Sequence, residues 1–315
     1  METPPPILDM PTNPPMTWWS ATQVTLLCTL FGVNAIAVKF AFQGFGVFSS
    51  ASIRFGTAVL VIALWAMLTG RSFRLRPGQF RHLFVYSTLF AVQLSLFYIG
   101  LDRTYASRGT LLINLLPFIV LVLAHFFIPG DRVTPRKLMG LLLGFSGVVC
   151  VFSGHSDITG RARSGDIFIL VATTLWACNI VYIKRIIDTF TAFHIVFYSM
   201  LLSFPFFSLA AFLFDAAAVK TLSIAAILAL GYQTFVTASF GFMAWNHLLK
   251  RFGAVNLHSF VFIMPLVGVY GAHVVLDEPV TLRLVLALAL IVAGLLVIHF
   301  NPPRRFSVLP KRGKT

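Results

Sequence analysis

Apolar stretches of about 20 residues follow one another along almost the whole chain, and each is long enough to cross a hydrocarbon core of roughly 30 Å as a helix. In lipid, the backbone N–H and C=O groups must be satisfied within the spanning segment itself, so a chain of this kind folds as a bundle of transmembrane helices. Within about three residues at each end, the spans run 19–42, 47–69, 80–101, 105–127, 134–153, 166–186, 190–212, 221–248, 253–276 and 281–300. Only 11% of the 315 residues are charged, too few to wet the surface of a soluble domain, and the ten spans leave no room for one. The Pro-rich start, 1–18, lacks the basic segment of a signal peptide and is expected to be a disordered tail. Residues 154–165 read as a polar connecting loop, and 301–315 as a basic tail.

The two halves, 19–153 and 166–300, resemble each other at an offset of about 147 residues. Asn34 and Lys39 match Asn179 and Lys184 at the same spacing, with Phe31-Gly32 opposite Trp176-Ala177. Tyr98, Leu101 and Tyr105-Ala106 match Trp245, Leu248 and Phe252-Gly253, while Pro117 matches Pro265. Asp131-Arg-Val-Thr then matches Glu278-Pro-Val-Thr, and Gly147 matches Gly294. Five helices per repeat is an odd number, so the second copy enters the membrane upside down. The expected architecture is all-α and polytopic: ten transmembrane helices, two inverted five-helix halves, and a central cavity between them.

Charge supports one orientation. With a cytoplasmic N-terminus, sixteen Lys and Arg fall in inside segments and seven in outside ones, Arg54 within helix 2 being the last of the 24. Both termini are therefore expected in the cytoplasm. The formal charge of +14 would suggest nucleic acid in a soluble protein. Here the basic residues sit in the breaks, which points to topology and anionic lipid, not nucleic acid, as their partner. Cys28, Cys150 and Cys178 lie within apolar runs and number three, so no structural disulfide is expected. No His-Glu-x-x-His motif or Cys/His cluster with ligand spacing occurs, and neither metal nor cofactor is expected.

In order and in repetition, these motifs resemble the drug/metabolite transporter superfamily, of the ten-helix EamA type, over about residues 19–300. The resemblance rests on Phe31 to Lys39 with its echo Trp176 to Lys184, on Ser52-Ile53-Arg54-Phe55, on Tyr98 to Ala106, and on Pro117 with its acidic sequel. It implies a permease of the bacterial inner membrane that exports amino acids, drugs or other metabolites, with most likeness to aromatic amino-acid exporters. The acid that often closes helix 4 in this family stands displaced here, as Pro129-Gly130-Asp131.

Inverted repeats place substrate near the midplane, where helices are broken or kinked, which marks Pro117 and Pro265 as hinge candidates or static kinks. Polar stripes mark the cavity lining, since a polar group facing lipid costs several kcal/mol if unsatisfied. Helix 8 offers Thr234, Thr237, Gly241 and Trp245; helix 9 offers Asn256, Ser259 and Tyr270; helix 4 offers Ser107, Thr110 and Asn114. Helix 3 adds Tyr86 and Gln93, and helices 1 and 6 add Asn34 and Asn179. The hydroxyls have an alternative partner in the preceding helical turn, and the amides one in interhelical glue. Tyr98, Trp176 and Trp245 accompany the repeat motifs and carry polar edges suited to aromatic or amphipathic solutes. A solute transporter with small-molecule substrates, as a monomer or weak dimer, is the resulting expectation.

No acid lies in the interior of a span, so the carboxylate relay of ion-driven transporters is missing; His258 is the candidate for proton coupling, and facilitative export needs none. Arg54 is the basic residue well inside a span. Snorkelling, backbone carbonyls or a substrate carboxylate would each relieve its charge. An intramembrane serine protease is the rival class, through Gly144-Phe-Ser146-Gly147, but Gly147 repeats as Gly294 whereas Ser146 becomes Ala293. Close helix packing explains the glycines without catalysis.

Overall fold

A computed structural model describes residues 17–127, 134–153, 160–186, 190–258 and 260–299. Asp131, the two tails and residues 154–159 of the connecting loop lie outside the described residues. Apart from its turns and one isolated bridge, Phe45–Val219, the described chain is helical. Its first half holds α1 (Trp18–Gly44), α2 (Val47–Leu68), α3 (Gln79–Arg103), α4 (Ala106–Ile113), α5 (Leu116–Phe127) and α6 (Pro135–Phe152). The second holds α7 (Gly160–Ile186), α8 (Ala192–Phe214), α9 (Ile224–Gly231), a π-helical segment (Tyr232–Gly241), α10 (Phe242–His258), α11 (Ile263–Leu276) and α12 (Leu282–His299). Taking α4–α5 and α9 to α10 as interrupted single spans, eight helices are long and apolar enough to cross a membrane. The shorter apolar helices Ile263–Leu276 and Leu282–Ile298 complete the set.

Local chemistry starts several of these helices. Thr17, Thr191 and Ser223 each accept a bond from the backbone N–H three residues on, at 3.2, 3.3 and 3.1 Å, and Thr134 does the same ahead of Pro135. Two of the helices without such a residue are capped from a distance. Gly46 precedes α2 and Tyr105 precedes α4, neither offering a side-chain cap. Their free N–H groups are met from elsewhere in the chain, by Asp215 and Glu278.

The packing partners follow the inverted repeat. α1 lies against α9, the π segment and α11, as α7 lies against α3, α4 and α5. α2 pairs with its counterpart α8, and α6 with α12. Glycine allows the closest of these approaches: a Cβ on Gly140 would stand 2.9 Å from Gly294 O, and one on Gly294 2.8 Å from Gly140 O. Ser146 is exposed on the outer face of α6, away from any enclosed site, and the Gly140–Gly144–Gly147 series is spent on helix contact.

Three boundaries differ from the sequence reading. The span 105–127 is broken at Asn114–Leu115, and its α5 half begins one residue before Pro117. The expected loop 154–165 ends earlier, since α7 already begins at Gly160, which puts Asp166 inside a helix and not at its start. The expected break around 249–252 is absent: α10 runs through it to His258, and the interruption comes at 260–262, just before Pro265. Pro117 and Pro265 thus sit in the first turn after matching interruptions, where a missing N–H costs no helical bond.

Candidate functional site

A charged side chain at the centre of the bundle organises the site. Arg54, on α2, turns inward and is only 6% exposed, so it does not snorkel. Its Nη1 donates to Tyr98 Oη at 3.1 Å and lies 3.5 Å from Gln233 Oε1, while Nη2 donates to Thr237 Oγ1 at 3.1 Å. Tyr98 Oη in turn donates to Gln233 Oε1 at 3.2 Å, and Thr237 Oγ1 lies 3.2 Å from its acceptor Asn34 Oδ1. Gln233 is fixed by its Nε2, which donates to Ala37 O at 3.2 Å and Ala229 O at 3.3 Å. One network therefore joins α1, α2 and α3 of the first half to the π segment of the second.

Rings enclose it. Phe42 meets Tyr98 edge to face at 5.5 Å, and the guanidinium carbon of Arg54 lies 5.1 Å from the centre of the Phe55 ring. Phe55 stacks on Phe207 at 5.4 Å and meets Phe90 edge to face at 5.6 Å. Gln233 and Thr237 owe their position to the π segment, whose widened turn shows in the bond from Ser239 Oγ to Thr234 O, five residues back, at 2.9 Å.

Of the residues expected from sequence, Asn34, Tyr98 and Thr237 meet in this network. Tyr86 and Asn179 meet elsewhere, across the α3–α7 contact, where Asn179 Nδ2 donates to Tyr86 O at 3.4 Å. Gln93 is buried with no partner on its Oε1, as are Thr110 Oγ1 and Asn179 Oδ1. Asn114 closes α4, its Nδ2 donating to Thr110 O at 2.8 Å, so its amide serves the helix break. Trp245 packs edge to face on Phe31 at 6.1 Å, and Trp176 is half-buried on α7. Tyr270 is 71% exposed and faces outward, so the helix 9 stripe does not reach it. His258 ends α10, and its side chain lies outside the described residues, as do those of Asn256 and Ser259.

Sequence reading missed Gln233. Two signals pointed to it: a glutamine inside an apolar span, and its place about 147 residues after Tyr86 in the repeat. The stripe built from Thr234 passed beside it.

The chain matches the EamA-like transporter family over residues 18–153 and 163–300. It is 26% identical over 285 residues to an "Uncharacterized transporter" of Archaeoglobus fulgidus, covering 87% of this chain and 96% of that protein. It is 24% identical over 292 residues to a Salmonella typhimurium protein named "Probable amino-acid metabolite efflux pump", covering 88% and 93%. A solved crystal structure shares the fold with a TM-score of 0.66 at 19% identity, over 90% of this chain and 97% of that one.

Proposed function

Since this chain belongs to the EamA-like transporter family, we propose that it carries amino acids, aromatic ones by preference, or similar small metabolites out of the cell by alternating access, without a coupling ion. The observation that carries this reading is the central network: a polar, ring-lined cluster shared between the two halves of an inverted repeat. The helix interruptions just before Pro117 and Pro265 would serve as one hinge in each half. Amino acids enter as the substrate class through the relative named as an amino-acid metabolite efflux pump, and the rings around Arg54 suit an aromatic side chain. The placement proposed is the bacterial inner membrane with both termini cytoplasmic, as a monomer or weak dimer.

Facilitative transport is favoured over proton coupling by where the acids lie. Of the five described acids, Asp102, Asp215, Asp277 and Glu278 sit at helix ends and Asp166 is tied to Arg108, and none enters the Arg54 network. Uptake of radiolabelled aromatic, basic and small neutral amino acids into proteoliposomes, with and without an imposed pH gradient, tests both parts. The expected result is saturable aromatic uptake that ignores the gradient. Gradient-driven accumulation would replace the facilitator by a proton-coupled exporter, and no uptake of any amino acid would remove the substrate class.

A further inference from the structure

Arg108, Asp166, Asp215 and Glu278, all buried or half-buried, each have a complement. Arg108 pairs with Asp166, which also accepts from Thr104 Oγ1 at 2.6 Å. Asp215 and Glu278 each lie on the N–H groups of a helix start. Arg54 is different. It is as buried as Glu278, at 6% exposure each, yet its three partners are a phenol, an amide oxygen and a hydroxyl, all neutral. Its Nε is buried with no partner at all. A guanidinium forks most strongly onto a planar anion, and Nε with a neighbouring Nη is one edge of that fork.

We propose that Arg54 is the anchor for the carboxylate of the transported solute. The inference rests on the amino-acid exporter reading and names the group recognised there. When the cavity opens, the guanidinium leaves its neutral partners for a carboxylate that takes two parallel N–H bonds, one of them from Nε. The oxygens it releases, Tyr98 Oη, Gln233 Oε1 and Thr237 Oγ1, are then free to accept from the ammonium group of the same zwitterion. Neutral partners suit this exchange because they satisfy the guanidinium in the empty carrier without competing with the solute as a resident carboxylate would. Phe42, Phe55 and Phe207 give the apolar body of the solute a surface beside its charged head.

The test compares 3-phenylpropionate, phenylalanine, phenylalaninamide and phenylethylamine with wild type, Arg54→Gln and Arg54→Lys. It reads thermal stabilisation of purified protein and inhibition of phenylalanine counterflow in proteoliposomes. Wild type is expected to favour the two carboxylates over the amide and amine by at least about tenfold, and Arg54→Gln to bring that ratio close to one. Arg54→Lys keeps the charge but not the fork, and is expected to retain only part of the preference. It serves as the deciding variant if the glutamine protein does not fold. Equal response of wild type to all four compounds overturns the proposal. So does a uniform loss in the variants, which would assign Arg54 to structure alone. Arg54-dependent stabilisation by 3-phenylpropionate without transport of any amino acid would sink the exporter reading and keep the anchor; amino-acid transport without Arg54-dependent discrimination would do the reverse.

Discussion

The two ends of the bundle are tied by different chemistry. At the end where α1 passes to α2 and α3 to α4, the contacts involve charge and backbone together. Asp215 accepts from Ser49 N and Oγ, both at 2.7 Å, and Glu278 accepts from Ala106 N at 2.6 Å, Ser107 N at 2.9 Å and Ser107 Oγ at 2.6 Å. Arg108 pairs with Asp166 and Arg161 with Asp102, while Gly46 N reaches Ala218 O at 3.1 Å beside the Phe45–Val219 bridge. At the opposite end Arg136 Nε donates to Val297 O at 2.7 Å, and beside it lies a set of neutral contacts. His194 Nε2 lies 2.8 Å from Ser72 O, Tyr198 Oη donates to Phe73 O at 2.7 Å, and His82 Nδ1 lies 2.9 Å from Tyr182 Oη. Charge-assisted bonds are roughly twice as strong as neutral ones. Under the proposed topology the acid-bound end faces outward, so opening there would have to break charge-assisted bonds, whereas opening at the other end would break mainly neutral ones.

Asp166→Ala should have the largest effect on the acid-bound end. It strands Arg108 in the interior, with only Val151 O still accepting from its Nη2, at 2.7 Å. Removing one partner of a buried pair costs about 3–5 kcal/mol. The expected outcome is a large drop in melting temperature in detergent or loss of purifiable protein; a variant that melts like wild type would show that charge does not hold this end.

Glu278→Gln comes next. It keeps the shape but weakens the cap on two N–H groups and a hydroxyl, with an expected cost of about 1.5–3 kcal/mol. If the cap is part of the outer seal, a cysteine placed at Ile113 should react about tenfold or more faster with a membrane-impermeant thiol reagent. Unchanged labelling would separate helix capping from closure. Asp215→Asn should act in the same direction by about 1 kcal/mol, since Ser49 can still bond to an amide oxygen. A ranking in which Asp215 matters more than Glu278 would move the principal seal from α4 to α2.

The spans and the repeat were legible because hydrocarbon thickness and chain inversion write directly into apolar run length and loop charge. Helix ends were less so. Polarity marks where a span leaves lipid, not where a helix stops: Arg161, Ala162 and Arg163 are polar or small but helix-compatible, and α7 includes them. Lys250 and Arg251 misled in the same way, because α10 continues through them. The prolines did flag the interruptions near Asn114 and Phe260. The caps from Asp215 and Glu278 join residues more than 160 positions apart, and no local pattern reports such a contact. Arg54 stood out as a charge in an apolar span, but its neutral partners Tyr98, Gln233 and Thr237 converge only through the packing of α2, α3 and the π segment.

The smallest effect is expected at the opposite end, from Tyr198→Phe. The hydroxyl donates to one carbonyl, Phe73 O, while the ring keeps its edge-to-face contact with Phe197 at 5.2 Å. Losing one neutral bond to a partner that water can replace costs about 0.5–1.5 kcal/mol. The melting temperature should fall only slightly, and labelling of a cysteine at Ile113 should slow, since loosening one end of an alternating carrier favours states closed at the other. If labelling at Ile113 instead rises, as with Glu278→Gln, the two ends do not exclude each other, and alternating access would give way to independent gates.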